Sequence, residues 1–114
     1  DEEFYGYSEG IYPDEVNELY HRFGELRRIA GVKDHLLITK DNKEKFEKSI
    51  HDQPEYVREK TRYCEVQFPQ DTAIFRNKVI MYNWTGTPKA ILIRDEDIAK
   101  NYKEFFIDLW NKSE

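Results

Sequence analysis

Histidine and cysteine most often hold metals or carry nucleophilic chemistry, and this chain has only four such residues. They are His21, His35, His51 and Cys64. A metal site needs several ligands at defined spacing, and a catalytic histidine needs an acid or base within reach. On a helix, His21 would lie about one turn from Glu18 and Glu25, which permits a carboxylate contact. The pattern favours a surface imidazole, because no further ligand follows at a suitable spacing.

Other catalytic patterns are missing from the sequence. The five glycines are scattered, so they form neither GxGxxG nor GxxxxGK[ST], and no GxSxG elbow occurs. Cys64 alternates with Val66 and Phe68, which predicts a packed core thiol. We therefore predict no catalytic residue, no metal site and no cofactor. One enzymatic alternative stays open, a divergent hydrolase that uses Asp71 or Asp95 together with His35.

Aromatic rings with polar tips are common in this chain, and such rings line small-molecule pockets and interfaces. The candidates are Tyr5, Tyr7, Tyr12, Tyr82 and Trp84. Core packing explains most of them equally well. We predict that Tyr5, Tyr7, Tyr82 and Trp84 bind a small-molecule effector.

The composition predicts one domain spanning residues 1–114, because a chain of 13.8 kDa closes around a single core. Its 39% hydrophobic residues are enough for that core, and its longest uncharged apolar run, 90–93, is far shorter than the ~20 residues of a membrane helix. The net charge of -5 argues against direct DNA binding, although four basic residues cluster between Arg22 and Lys33. A single cysteine and the lack of a signal-peptide pattern lead us to expect a cytoplasmic protein without a membrane partner.

Hydrophobic periodicity predicts an α/β domain with a mixed sheet and flanking helices. The predicted strands are 4–7, 35–39, 62–68, 72–75, 78–83 and 89–94, and the predicted helices are 13–30, 41–51, a short turn at 55–60, and one that Asp95 caps. Gly31 ends the first long helix, and Arg76-Asn77 forms a tight hairpin turn in which Asn77 tolerates the left-handed conformation. Strand 89–94 is the best candidate for a central strand.

The two long helices each carry an apolar stripe that we expect to face the core. The first stripe is Val16, Leu19, Tyr20, Phe23 and Ala30, and the last is Ile98, Tyr102, Phe105, Phe106 and Leu109. Both helices also carry apolar residues beside the stripe, namely Tyr12, Leu26, Ile29, Ile107 and Trp110. This excess fits either deep packing on the sheet or a dimer interface.

The segment 72–110 resembles a known family in three consecutive motifs. The hairpin reads TAIFRNKVIMYNW, the following strand reads PKAILIRD, and the closing helix reads IAKNYKEFFIDLW. In this order they resemble the phospholipase-D-like effector domain that follows the winged helix in TrmB-type transcription regulators of archaea and bacteria. The resemblance is weaker but compatible over 4–39.

The resemblance implies a phospholipase-D-like half-domain that lacks the catalytic HxKxxxxD motif. If Asn77 occupies the aspartate position, then Gln70 and Thr72 occupy the histidine and lysine positions. Glutamine has no nucleophilic nitrogen, and threonine has no positive charge to stabilise a developing phosphate anion. No histidine follows His51, so shifting the alignment does not restore the motif.

The family resemblance further implies a non-catalytic sensor or dimerisation domain of a TrmB-like regulator. On this interpretation the chain forms a homodimer, senses a possible small-molecule effector, and contacts DNA only through a winged helix outside these residues. The alternatives are a stand-alone protein-interaction module and the divergent hydrolase described above.

Overall fold

The structure is a computed structural model, which describes residues 2–49 and 55–114. Six strands form a single sheet. They are β1 (Glu3–Ser8), β2 (Lys33–Thr39), β3 (Thr61–Cys64), β4 (Asp71–Phe75), β5 (Lys78–Asn83) and β6 (Lys89–Arg94). The helices are α1 (Asp14–Ile29), α2 (Lys43–Ser49), α3 (Glu55–Glu59) and α4 (Glu96–Asn111), and a 3-10 turn (Lys40–Asn42) precedes α2. The predicted α/β class is confirmed, and the predicted helix end at His51 lies outside the described residues.

The sheet combines a parallel half with an antiparallel half in the order β3-β2-β1-β4-β5-β6. Strands β1, β2 and β3 are parallel, because the helices between them return the chain to the same edge. Strands β4, β5 and β6 form an antiparallel meander that pairs with β1 through β4. The sheet is therefore mixed, as the hydrophobic pattern predicted.

Local signals set the end of α1 and the start of α4 at the predicted positions. After α1, Gly31 has a φ of 81°, and the amide of Val32 donates to the carbonyl of Arg27 at 2.9 Å, which closes the helix end. At the start of α4, the Asp95 carboxylate accepts from the amide of Ile98 at 3.0 Å. In the β4–β5 turn the residue with positive φ is Arg76, at 56°, rather than Asn77.

The main core lies between the sheet and α4. Its buried members are Tyr5, Tyr7, Leu37, Cys64, Phe68, Ile74, Val79, Ala99 and Phe106. Of the two adjacent phenylalanines in the predicted stripe, Phe106 faces the sheet and is 1% exposed, whereas Phe105 is 48% exposed. Tyr102 and Leu109 of the stripe also pack against this core, and Ile98 is exposed. Trp110 packs against this core, and Ile107 faces outward.

The opposite face of the sheet carries α1 and α2, with a smaller cluster of Ile38 and Phe46. Here the predicted inward stripe of α1 is only partly correct. Val16 is buried and Tyr20 is half-buried, but Leu19 and Ala30 are exposed. Phe23 is 46% exposed, although part of it lines the space between α1 and the sheet. The residues of α1 that do face the sheet include Gly24 and Arg27. Arg27 turns inward because it pairs there with the buried carboxylate of Asp34.

Two further predictions differ from the structure. Strand β6 lies at the edge of the sheet, not at its centre, because no strand follows it in the meander. Its Ile91 and Leu92 are therefore exposed. Strand β3 ends at Cys64, and Val66 is exposed beyond it, although Phe68 returns to the core.

Candidate functional site

A cavity of about 160 Å³ lies between α1 and the sheet. Its floor is the sheet surface of β1, β2 and β4, and its walls come from α1, α2 and α3. The apolar lining residues include Phe4, Gly6, Leu36, Ile38, Phe46, Val57 and Ala73. Polar groups lie at two ends, one around Asp34 and one around Asp71. The cavity therefore offers an apolar body with hydrogen-bonding groups at both ends.

Small residues create this space. Gly6 lies on the floor, where an added Cβ would come within 3.3 Å of the Leu36 and Phe4 side chains. On the α1 wall, Gly24 is buried, and an added Cβ there would meet the Lys60 ammonium at 3.5 Å. Ala73 adds a third small side chain to the lining. Larger residues at these positions would occupy the cavity or push α1 away from the sheet.

The first polar end is a buried ion-pair network. The Asp34 side chain is 4% exposed and accepts from Arg27 through Nε at 2.9 Å and Nη2 at 3.0 Å. The ammonium of Lys60 donates to the same carboxylate at 3.0 Å. The Arg27 guanidinium also lies over the Phe4 ring, 3.8 Å from its centre. Two cations share one carboxylate, which ties α1 to β2 and holds this end of the cavity.

His21 lines the cavity beside this network. Burial lowers its pKa, because the charged imidazolium loses hydration, and the nearby Lys60 cation lowers it further. His21 is therefore neutral at physiological pH, and it can accept as well as donate a hydrogen bond.

The second polar end is formed by Asp71 and several aromatic rings. The Asp71 carboxylate accepts from the Tyr20 hydroxyl at 3.3 Å and from Trp84 Nε1 at 3.1 Å. Trp84 stacks on Tyr82 with a centroid separation of 5.6 Å, and Tyr12 meets Tyr20 edge-on at 4.9 Å. These residues come from the segment before α1, from α1, from β4, and from the end of β5.

Burial raises the pKa of Asp71, and hydrogen bonds from Ser8, Trp84 and Tyr20 oppose that rise. Burial likewise raises the pKa of Tyr12, Tyr20 and Tyr82, and the Asp71 charge adds to each rise. The three hydroxyls are therefore protonated donors at neutral pH.

The four predicted ligand-binding residues fall into two places. Tyr82 lines the cavity and Trp84 stacks on it, so the structure brings these two together. Tyr5 and Tyr7 belong to the main core, where Tyr5 contacts Phe106, although Tyr7 also contributes atoms to the cavity lining. The role of all four in binding a ligand stays a prediction.

Sequence reasoning did not select four polar residues at the ends of the cavity. They are Tyr20, Arg27, Asp34 and Lys60. A signal existed for one of them, since Asp34 is a charged residue directly before the segment 35–39, which the sequence predicts as a buried strand. Its partners could not be found in the same way, because Lys60 lies twenty-six residues further along the chain.

The carboxylate–histidine pairs of the hydrolase alternative are not formed. His35 Nε2 lies 3.0 Å from Glu3 Oε1, stacks on Tyr5 and meets Trp110, which places it on the α4 side of the sheet. Asp71 is on the other side, in the aromatic cluster. Asp95 caps the start of α4, roughly 20 Å from Trp110 at 1.5 Å per helical residue.

The carboxylate that contacts His35 is therefore that of Glu3. The hydrogen bond from His35 lowers the pKa of Glu3, with a second contribution from the Tyr5 hydroxyl. Burial and Glu3 together raise the pKa of Tyr5 to about 12. These groups bond to one another on the core side of β1, away from the cavity.

The residues at the phospholipase-D motif positions do not form a site together. Thr72 is buried in β4, and its hydroxyl donates to the Gln70 carbonyl at 3.2 Å. Asn77 lies at the far end of the β4–β5 hairpin, where its carbonyl accepts from the amide of Asp95. Within residues 2–49 and 55–114, no group of three His, Cys, Asp or Glu side chains is arranged to hold a metal ion. Burial raises the pKa of the Cys64 thiol, which disfavours the nucleophilic thiolate.

Comparison with known proteins finds similarity among solved structures. No protein-family model matches the chain, and no curated protein does. Among solved structures, TrmBL2, an archaeal chromatin protein whose structure shows a novel mode of DNA binding, is similar with a TM-score of 0.60 over 98% of this chain. The two sequences are 19% identical, and the chain spans 44% of TrmBL2. This chain therefore has the fold of part of TrmBL2.

None of the described helices is long and apolar enough to cross a membrane.

Proposed function

We propose that this chain is the non-catalytic regulatory domain of a TrmB-like transcription regulator, and that it senses a small molecule in the cavity under α1. Two independent observations support the family. The motifs over 72–110 resemble the phospholipase-D-like effector domain of these regulators, and the fold is shared with TrmBL2, a DNA-binding protein. In this proposal, a winged helix outside these residues contacts the DNA.

The cavity is the observation that carries the sensing role. Its volume of about 160 Å³ is close to the ~150 Å³ of an apolar cavity that accepts benzene. A compact molecule of about one ring therefore fits, with its apolar body over Gly6 and Ala73. Polar substituents would then reach the hydroxyls of Tyr20 and Tyr82 at one end and the Arg27 network at the other.

A ligand in this cavity would contact α1 and the sheet at the same time. Arg27 and Tyr20 already link α1 to β2 and β4, at the two ends of the space. Occupation of the cavity would brace α1 against the sheet between these two links. Binding is thus expected to stabilise the position of α1 against the sheet.

The test is a screen of ring-sized compounds by thermal unfolding, with matched cavity variants. At a ligand concentration ten times the Kd, we expect the native chain to gain about 1.4 kcal/mol, or roughly 5–10 °C in Tm. Ala73→Leu fills the cavity from its lining and should abolish the gain. Ala90→Leu, on the exposed part of β6, should retain it.

Changes in amide chemical shifts show where the stabilising compounds bind on the chain. Binding that supports the proposal perturbs Gly6, Gly24 and Ala73. Compounds that stabilise Ala73→Leu as much as the native chain would overturn the cavity as the sensing site, and so would a screen in which no compound stabilises the native chain.

A further inference from the structure

The carboxylate at one end of the cavity has no cation beside it. Asp71 lines the cavity and makes no ion pair with any residue in 2–49 or 55–114. Burial raises the pKa of Asp71, and the negative charge of Glu9 raises it further. Two carboxylates therefore act on the same region, and the electrostatic potential at this end of the cavity is negative.

The Asp71 carboxylate has room for a further hydrogen-bond donor. Tyr20 and Trp84 both donate to Oδ2, at 3.3 and 3.1 Å, and the Ser8 hydroxyl supplies a third hydrogen bond. An ionised carboxylate has about four lone-pair sites on its two oxygens. The three donors are neutral, so they solvate the negative charge without compensating it. A cation that enters the cavity at this end would compensate it.

Aromatic rings surround the same end of the cavity. Tyr12, Tyr20 and Tyr82 all contribute to its lining. The Tyr20 ring meets the Tyr12 ring at 4.9 Å and the Tyr82 ring at 6.3 Å between centroids. The face of an aromatic ring carries partial negative charge and attracts a cation. A carboxylate beside three such rings is a combination of groups that recognises an ammonium ion.

The register of the sheet separates this end from the Arg27 cation. The Arg27 guanidinium lies over the Phe4 ring, and Phe4 pairs with Phe75 on β4. Phe75 is four residues from Asp71, which is ~13 Å at ~3.3 Å per strand residue. Ala73 lies halfway between them in the floor of the cavity. A ring that rests over Ala73 can therefore direct a short ammonium arm toward Asp71 and away from Arg27.

We propose that the cavity binds a compact organic ammonium ion that carries a ring, with the ammonium group on the Asp71 carboxylate and the ring over Ala73. This inference rests on the proposed function, because it names the class of ligand for the same cavity. The ammonium group donates to the carboxylate and lies against the tyrosine rings. Its charge compensates the carboxylate, which has only neutral donors among the described residues.

Two compounds of nearly the same shape test the ligand class with the native chain. Benzylamine is a cation at pH 7, and benzyl alcohol is its neutral counterpart with the same number of non-hydrogen atoms. Titrations followed by the amide chemical shifts of Gly6 and Ala73 give a Kd for each compound in the cavity. We expect the Kd of benzylamine to be about tenfold or more lower, because charge-assisted hydrogen bonds and cation–ring contacts are stronger than their neutral equivalents.

A variant without the Asp71 charge tests the contact itself. Asp71→Asn keeps an acceptor for Tyr20 and Trp84, and it should raise the Kd of benzylamine about tenfold or more while changing that of benzyl alcohol less than about twofold. Asp108→Asn removes one negative charge from the exposed surface of α4 and is the matched control. It should leave both Kd values unchanged.

The outcomes separate this inference from the proposed function. A benzylamine Kd equal to or above that of benzyl alcohol in the native chain overturns the inference alone, and this comparison does not depend on the folding of any variant. Equal affinity of Asp71→Asn and the native chain for benzylamine also overturns it alone, as does failure of benzylamine to bind while other ring compounds stabilise the chain. A screen in which no ring compound stabilises the chain overturns the proposed function together with the inference.

Discussion

At the scale of single residues, the surroundings of Asp71 shift its pKa in opposite directions. Burial raises its pKa above the ordinary value of 3.8, while donors from Ser8, Trp84 and Tyr20 favour the charged form. Because the pKa of Asp71 is raised overall, the folded protein binds the carboxyl proton of Asp71 more tightly than the unfolded chain does. The contribution of Asp71 to stability is therefore lost as the pH rises from about 3.8 through the folded pKa.

We expect Asp71→Asn to stabilise the protein at pH 7. The amide oxygen can still accept from Tyr20 and Trp84, and the buried charge is gone. The gain should be at most about 1 kcal/mol, or roughly 4–8 °C in Tm, because Asp71 keeps part of its hydration.

Thermal unfolding from pH 3.5 to 8 measures this effect. The difference in Tm between Asp71→Asn and the native chain should be small at the acidic end and grow as the pH rises. Asp108→Asn, an exposed residue paired with Lys112, serves as the control and should show little change. A variant less stable than the native chain at pH 7 would contradict the assigned direction.

A second prediction at this scale is that the chain does not hydrolyse phosphodiesters. Gln70, Thr72 and Asn77 offer neither the nucleophilic imidazole nor the cation of the motif, and they do not converge in the structure. We expect no hydrolysis of bis(p-nitrophenyl) phosphate by the chain at high micromolar concentration. A turnover that persists through repurification and is lost in His35→Ala would instead support the hydrolase alternative.

At the scale of elements, α1 and α4 use their apolar residues differently. α4 places Phe106 and Ala99 in the main core, whereas α1 turns Gly24 and Arg27 toward the sheet and leaves its leucines outside. The α4 face carries the main core, and the α1 face contains the cavity. The domain therefore has one side built for stability and one side with room for a ligand.

Adjacent phenylalanines on α4 allow a direct test of this difference. Phe106→Ala should destabilise the chain by ~3–5 kcal/mol, because it removes a ring that is 1% exposed from a packed core. The corresponding fall in Tm is more than about 10 °C. Phe105→Ala should cost about 1 kcal/mol, since half of that ring is already in water. Equal losses in the two variants would show that α4 packs in a different rotation.

At the scale of the whole molecule, the net charge leads to an expectation about DNA binding. A net charge of -5 opposes a polyanion, and Arg27 is occupied by Asp34 rather than available on the surface. We therefore expect a regulator that contains this domain to bind DNA through another part of the protein.

We expect no measurable binding of the 114-residue chain to duplex DNA at physiological salt. Fluorescence anisotropy with a labelled 30-base-pair duplex, repeated at 50 mM and 200 mM salt, measures it. A salt-dependent rise in anisotropy would show that a basic patch of this domain contacts phosphate directly, and would contradict this prediction.

Local chemistry accounts for what the sequence by itself determined. The β4–β5 turn, the stop at Gly31 and the cap at Asp95 each depend on residues within a few positions of one another. Strands β5 and β6 consequently have the predicted limits, and the alternation of elements was sufficient to predict a mixed α/β sheet.

Only the tertiary structure decided which surface of α1 faces inward, where β6 lies and which polar groups meet in the cavity. Periodicity identifies an apolar stripe but does not specify what covers it. The inward face of α1 is set by Asp34, which needs the cations of Arg27 and Lys60 once it is buried. Tyr20, Asp71 and Trp84 likewise meet only because three segments that are distant in the sequence converge in the fold. No local pattern predicts this contact, because the packing of the whole chain brings the three segments together.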